Sequence, residues 1–298
     1  MAAVRCGLIG YGKIGRLAAE ILRAGGTSLE LAAIADPSST AENLPVLHFS
    51  DYRKLLASNV QAVIIATPPA MHFDIAIEAL RAGKDVWVEK PPSHTAAQVR
   101  ELARMAEVCG RTLFFAYHAR YNPAVVAARA VLAGALEQMI SAQYKECAAN
   151  FHEPGSWVYQ EGLLRDSGIN VFSVLFDLLP SGTRPQLISV SANQTKAQIH
   201  LSGGIRIEMD WEYHGPEVRT FKIQSSLGVC CIELSRPLLT VNGVSHPLST
   251  TCRDVMRAEY EAMFFDWPQR LQTRKSFARP DEVDLLESVE LQLQSGFR

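Results

Sequence analysis

"VRCGLIGYGKIG", residues 4–15, decides the N-terminal fold. Apolar residues suited to a buried strand run straight into Gly10, Gly12 and Gly15, in G-x-G-x-x-G spacing. Each glycine has its own physical reason. Gly10 allows a tight turn, Gly12 lets a pyrophosphate approach the backbone, and Gly15 lets the next helix pack against the sheet. The first amides of that helix face the anion, so Lys13 and Ile14 join the glycines as expected cofactor contacts. The spacing alone is a weak signal. Its context strengthens it, because Asp36 closes a second apolar run 21 residues after Gly15, where a carboxylate can accept hydrogen bonds from the adenosine ribose. The competing reading is a glycine-rich turn followed by an incidental aspartate.

Outward from that loop, short apolar runs alternate with amphipathic helical stretches. "LAAIAD" (31–36), "AVIIAT" (62–67), "DVWVE" (85–89) and "TLFFAY" (112–117) alternate with segments such as 14–24, 51–57, 71–82 and 95–108. Runs of Val, Ile and Ala without polar interruption suit strands buried on both faces, as in a parallel sheet covered by helices. The pattern predicts a doubly wound α/β domain. Thr95 followed by Gln98 has the form of a capping box, which predicts a helix start there. Beyond residue 120 the texture changes to a helix near 123–133, a strand from 139, a helix from Asp166, and then strand after strand past Pro180. In 204–213 the alternation is strict: Ile205, Ile207, Met209 and Trp211 share one face, and Arg206, Glu208, Asp210 and Glu212 the other. Helical periodicity returns in 254–271 and 281–294. The expected division is a dinucleotide-binding domain over 1–119 and a second α+β domain over 120–298.

The totals agree with a two-domain globular chain. It has 298 residues, 48% hydrophobic and 20% charged, with a net charge of −2, so electrostatics give no reason to expect nucleic acid or an anionic membrane as partner. The six cysteines form no C-x-x-C pair and are read as reduced thiols. The first strand begins within four residues of Met1, and no apolar run is long enough to cross a bilayer; the expectation is a soluble cytoplasmic protein.

"VWVEKPPS" (86–93) raises a chemical question, because a strand ends on Glu89 and Lys90 and is followed at once by two prolines. Pro91 and Pro92 cannot donate to a sheet and restrict Lys90 before them, so the cation is held in place. It either serves chemistry or only punctuates the strand. Strand ends of a doubly wound sheet border the ligand crevice, which favours chemistry and adds Thr67 and Pro68, after the preceding strand, to the same border. His72 then either contacts the cofactor or simply opens a helix. Asp36 near the ribose disfavours a 2′-phosphate, and "DPSSTAENL" offers no Arg or Lys to offset it; NAD is favoured, while Ser38 and Ser39 leave NADP possible.

With "GYGKIG", "IATPPAMHFDIAIEALRAGKDVWVEKPP" and "DSGIN", the chain resembles the Gfo/Idh/MocA oxidoreductases along nearly its whole length. Together with "YHARYN" (117–122), "YKEC" (144–147) and "FHEPGSW" (151–157), it is most similar to the family's aldose 1-dehydrogenases. The resemblance implies a Rossmann domain followed by an α+β domain with a large, mainly antiparallel open sheet. It also implies Glu89 and Lys90 of the E-K-P motif at the nicotinamide, a sugar as substrate, and a homo-oligomer, dimer or tetramer. Asp166 and Asn170 stand where many members place an acid and a proton-transferring histidine. Asparagine cannot exchange a proton at working pH, so the acid–base role falls to Asp166, shared with Lys90, and Asn170 is left to orient a hydroxyl. His118, Glu146, His152 and Trp157 complete the expected sugar pocket, with polar groups for hydroxyls and an indole for the apolar face of a pyranose. Their spacing includes no short metal motif, so no metal is expected. The alternatives are a family dehydrogenase acting on a ring hydroxyl of a sugar or inositol, and a non-catalytic dinucleotide-sensing regulator on the same fold.

Overall fold

The computed structural model describes residues 3–38, 44–135, 137–147, 157–180, 182–248, 254–277 and 280–295, without the side chains of 137, 138, 157 and 295. Two compact units divide the chain: residues 1–116 with Tyr260–Pro280, and Tyr117–Glu259 with 281–298.

The first unit is built on β1 (Val4–Ile9), β2 (Leu29–Ala35), β3 (Leu47–Phe49), β4 (Ala62–Ile65), β5 (Asp85–Glu89) and β6 (Leu113–Ala116). All pair in parallel, in the order β3-β2-β1-β4-β5-β6, the arrangement expected of a Rossmann domain. The connecting helices are α1 (Lys13–Ala24), α2 (Tyr52–Leu56), α3 (His72–Arg81) and α4 (Ala96–Cys109). The unbroken apolar runs are buried as that sheet demands; Val63, Ile64, Val86, Trp87 and Val88 have no exposed surface. Helix α4 begins where the cap predicts, with Thr95 Oγ1 accepting from the Gln98 amide at 3.2 Å. The return bond of a capping box is replaced, because the Thr95 amide donates to Ser93 Oγ, whose hydroxyl in turn donates to the Gln98 side chain.

Residues far along the chain finish this unit's core. In α8 (Val255–Thr273), Tyr260, Met263, Phe264, Trp267 and Leu271 recur at helical spacing and are buried. Trp87 lies between Phe114, at 6.3 Å and nearly parallel, and Phe264, at 5.4 Å between centroids. Past α8, Phe277 exchanges backbone bonds of 2.8 Å with Leu113 and Phe115, adding an edge to β6.

The second unit centres on an eight-stranded sheet in the order β14-β13-β12-β11-β7-β10-β9-β8. Its strands are β7 (Glu137–Lys145), β8 (Leu187–Ala192), β9 (Lys196–Leu201), β10 (Ile205–Asp210), β11 (Val218–Ser225), β12 (Gly228–Glu233), β13 (Leu238–Val241) and β14 (Val244–His246). Among the described residues only the β7–β10 pair of this sheet runs parallel; the other pairings are antiparallel, so the large, mainly antiparallel sheet is present. Its helices are α5 (Pro123–Leu132), α6 (Trp157–Leu163), α7 (Ile169–Leu178) and α9 (Asp281–Ser295), with α5 and α9 packed on strands of the sheet. Alternation assigns the faces. Ile140, Ala142, Ile199, Ile207, Met209, Phe221 and Ile223 are buried, while Gln143, Lys145 and Glu208 form a polar surface in which Lys145 pairs with Glu208 at 2.9 Å. A groove of about 680 Å³ runs over that polar face, lined by Gln143, His200, Arg206 and Lys222 among others. Adjacent Cys230 and Cys231 divide likewise, one buried and one exposed; these and Cys6, Cys109 and Cys147 are free thiols. Among the described residues no helix is long and apolar enough to cross a membrane.

Truncating Trp87 to alanine would leave a large void among Phe114, Tyr260 and Phe264. The expected loss is about 3–5 kcal/mol, read as a lower denaturant midpoint of the unit's unfolding transition.

Candidate active site

In the first unit, parallel pairing sets the ends of β1, β2, β4 and β5 side by side, and most of the expected cofactor residues stand just past those ends. Gly10 has φ +93°, and a Cβ there would come within 2.6 Å of the Ala66 carbonyl, so the turn must be glycine. A Cβ at Gly15 would collide with the Gly10 carbonyl, whereas one at Gly12 would meet nothing within 4 Å. Gly10 and Gly15 are therefore glycine for internal packing. Gly12, the N-cap of α1, faces open space in which an anion can approach its backbone; Lys13, also exposed, and Ile14 follow it in the first turn.

Asp36 is fixed from two sides. Its Oδ2 accepts from the Tyr11 amide at 2.6 Å, and its Oδ1 from the Ser38 amide at 2.8 Å and hydroxyl at 2.6 Å. Partial burial opposes its charge, but the Ser38 and Tyr11 bonds and nearby Arg16 outweigh it and hold the carboxyl below its usual range. Arg16, whose Nε donates to the Tyr11 carbonyl at 3.2 Å, is a cation from α1 that a search confined to the loop after β2 does not find. Ser39 lies outside the described residues.

Thr67 and Pro68 follow β4, and the Thr67 hydroxyl is buried with no hydrogen-bond partner among the described residues. His72 opens α3 and is 1% exposed, with Nε2 2.7 Å from the Thr67 carbonyl and Nδ1 2.8 Å from the Pro91 carbonyl. It thus joins the loop after β4 to the loop after β5, and any effect on a cofactor passes through those loops. Two carbonyl acceptors suit an imidazolium, yet burial dominates and lowers the pKa of His72; the neutral ring can donate to only one of them at a time. Glu89, itself buried, accepts from the Tyr260 hydroxyl at 2.5 Å and from the Lys90 amide at 3.1 Å, which fixes the backbone at the root of Lys90. The Lys90–Pro91 peptide is cis, and Pro91 to Ser93 are buried behind it.

In the second unit, one end of the covered sheet face turns polar. Tyr144 of β7 lies opposite Arg219 of β11, whose guanidinium is 5.5 Å from the Tyr144 ring. Arg219 pairs with Glu146 and, at 2.8 Å, with Glu217. The other oxygen of Glu146 accepts from the Ser167 hydroxyl at 2.7 Å, and Ser167 Oγ accepts from Trp211 Nε1 at 3.0 Å. Burial, offset in part by Arg219, pushes the Tyr144 hydroxyl up, and burial likewise raises Glu217. Glu146, expected to meet substrate, thus holds Ser167 and Arg219, and any further ligand would share its remaining lone pairs.

Ser167 sits in a five-residue π turn, Leu164–Gly168, that leads into α7. The sequence reading places Asp166 and Asn170 in one regular helix; the structure places Asp166 in the π turn and Asn170 in the first turn of α7. The Asn170 side-chain amide donates to the Asp166 backbone carbonyl at 3.4 Å, and its buried oxygen has no hydrogen-bond partner among the described residues. His118 lies in a short 3₁₀ turn, His118–Tyr121, with Nδ1 2.6 Å from Glu259. Sequence reading missed Arg219, Ser167 and Glu259, because side chains distant along the chain carry no local motif. His152 and the side chain of Trp157 lie outside the described residues. Among the described residues no group of three or more His, Cys, Asp or Glu is placed to hold a metal ion.

Residues 4–117 match GFO_IDH_MocA, described as an oxidoreductase family with an NAD-binding Rossmann fold. Galactose 1-dehydrogenase from Pseudomonas fluorescens is 28% identical over 294 residues, covering 93% of this chain and 91% of the relative. D-galactose-1-dehydrogenase from Rhizobium etli superposes with a TM-score of 0.86 at 24% identity, over 98% of this chain and 96% of that one. An inositol dehydrogenase homologue from Azotobacter vinelandii, solved with NADH and myo-inositol, superposes with a TM-score of 0.82 at 18% identity, over 99% and 96%.

The His72 bridge has a pH signature. Because burial lowers its folded pKa, the unfolded chain binds the extra proton once pH falls below the ordinary value of about 6.5, and stability falls with it. The thermal midpoint of wild type is expected to exceed that of His72→Gln at pH 7, with the gap narrowing toward pH 5. A gap that does not change with pH would contradict the neutral, buried ring.

Proposed function

We infer that the chain, whose residues 4–117 match the Gfo/Idh/MocA oxidoreductase family, oxidises the anomeric hydroxyl of a pyranose aldose to the lactone with NAD. The observation that carries this reading is the end-to-end match to a galactose 1-dehydrogenase, over 93% of this chain and 91% of the relative, which takes in both units. The chosen substrates are L-arabinose, D-galactose and D-fucose, which share their ring hydroxyl pattern. The site residues suit that chemistry: Asn170 keeps a buried acceptor without a hydrogen-bond partner among the described residues, as the orientation of a hydroxyl requires.

The dinucleotide fits the residues present, with Gly12 open to a phosphate and Asp36 at the end of β2 for the ribose; when bound, it supplies the hydride acceptor. Asp166 takes the hydroxyl proton directly or through water, a contribution of roughly 10²- to 10⁴-fold for a positioned base. Lys90 stabilises the developing alkoxide; a unit charge pair at about 4 Å is worth roughly 4 kcal/mol at an effective dielectric near 20. Oxidation of a ring hydroxyl is the second reading, favoured by the likeness to the inositol dehydrogenase homologue. A panel of aldoses and inositols assayed with NAD and NADP tests both, since a lactone product supports the first and a ketone the second.

Lys90→Ala is expected to lower kcat by about 10²- to 10³-fold with NAD affinity retained; near-normal turnover would remove the lysine from the mechanism. Asp36→Ala is expected to shift the NAD/NADP ratio of kcat/KM toward NADP, which Arg16 is placed to assist. An unchanged ratio would show that another group selects the cofactor.

A further inference from the structure

At the rim of the glycine loop a cation from α1 stands near the carboxylate of Asp36 without closing on it. Arg16 Nε donates to the Tyr11 carbonyl at 3.2 Å, its guanidinium lies 5.5 Å from the centroid of the Tyr11 ring, and the Tyr11 amide donates to Asp36 Oδ2 at 2.6 Å. One residue thus takes the arginine on its carbonyl and the aspartate on its amide, which sets the spacing of the two charges. After burial, which opposes it, and the Ser38 and Tyr11 bonds, the charge of Arg16 completes the causes that hold Asp36 below its usual range, yet the two side chains form no ion pair in contact.

Asp36 keeps little room for a ribose. A carboxylate has about four acceptor positions. Oδ1 takes the Ser38 amide at 2.8 Å and hydroxyl at 2.6 Å, and Oδ2 takes the Tyr11 amide, which leaves one position for a vicinal diol. A diol held through one bond is weakly checked for what its 2′ oxygen carries. Ser38, the other expected phosphate contact within the described part of this loop, commits its amide and its hydroxyl hydrogen to Asp36 and has none for a phosphate in this arrangement. The donors that remain belong to Arg16. A guanidinium has five N–H groups; one goes to Tyr11, and the four on Nη1 and Nη2 have no hydrogen-bond partner among the described residues, on a side chain that is exposed.

We propose that Arg16 is a specificity-determining residue that admits a 2′-phosphate beside Asp36, so that the protein binds NADP as well as NAD. The assignment deepens the reading of a dinucleotide site in this loop and rests on it. A planar fork of N–H groups matches the oxygens of a phosphate, and its positive charge offsets the repulsion from Asp36. An arginine that only braces Tyr11 and is otherwise hydrated would leave the choice of cofactor to Asp36 alone.

The experiment is titration calorimetry of the full-length protein with NADP and with NAD, which differ only in the 2′-phosphate and here need neither sugar nor hydride transfer. Wild type is expected to bind the two with affinities within about 10-fold of each other. Arg16→Gln is expected to move the ratio about 10-fold against NADP, and Arg16→Lys, which keeps the charge without the fork, to move it less. The kcat/KM ratio with an aldose follows the same order. A wild type that disfavours NADP by more than about 10-fold, an Arg16→Gln ratio equal to that of wild type, or equal weakening of both dinucleotides, as a merely structural role would give, overturns the proposal. Should wild type show the expected binding and oxidise no aldose or inositol, the functional reading fails while the assignment of Arg16 stands. Should it bind neither dinucleotide, the cofactor site fails and the assignment with it, so the two failures are told apart.

Discussion

Parallel pairing is the constraint on which the first unit depends. Six strands that run the same way must all end at the same edge, so the ends of β1, β2, β4 and β5 bring Gly10, Asp36, Thr67 and Lys90 to one side of the sheet. The sheet tolerates no side chain at the first of these turns, because the Gly10 Cα faces the Ala66 carbonyl. Once that close approach is fixed, the Tyr11 amide reaches Asp36 and the Ala66 amide reaches the Ile9 carbonyl at 2.8 Å. Loop positions that look arbitrary in sequence are thereby set by the hydrogen-bond ladder beneath them.

The second unit obeys a different constraint, the cost of partly burying a guanidinium. Arg219 lies on the covered face of a sheet whose neighbours on that face are Phe221 and Ile223, both without exposed surface. A charge so placed must be paired and hydrogen-bonded. Glu146 and Glu217 supply the charge, and Glu146 passes the order on to Ser167 and through it to Trp211. Ser167 is flanked by Asp166 and lies three residues before Asn170, so a bond made for electrostatic reasons also fixes the π turn that presents both. π turns interrupt regular helix, often at functional sites, and here the Glu146–Ser167–Trp211 bonds tie the turn in place.

Much of this was legible in the sequence because it is local or periodic. The glycine spacing, the unbroken apolar runs, the alternation of Ile205, Ile207, Met209 and Trp211, and the Thr95 cap each depend on residues a few positions apart. The π turn was not legible, since Asp166 and Asn170 at a spacing of four satisfy an α-helical pattern equally well. Nor was Arg16 legible as a neighbour of Asp36, for the two lie on different elements joined only through the fold. The passage of Tyr260–Pro280 into the first unit escapes for the same reason: helical periodicity identifies the apolar stripe of Tyr260, Phe264 and Trp267 but not the Trp87 and Phe114 that it meets.

Two histidines illustrate how environment, and not residue type, assigns chemistry. His72 is surrounded by carbonyl oxygens and by the charge of Lys90, which adds to burial in disfavouring a second cation. A neutral ring, donating to one carbonyl at a time, sits between the two loops without repelling the lysine they present. His118 instead faces a carboxylate whose remaining oxygen is claimed by Asn122, so its proton is placed by a charge and its orientation by a network. A carboxylate beside His72 would favour the imidazolium and raise the positive charge next to Lys90; a carbonyl beside His118 would accept the same proton with about half the strength. The positions of the acidic residues therefore divide the labour: the histidine without a carboxylate joins two loops, and the one with a carboxylate is anchored to α8 and through it to Asn122.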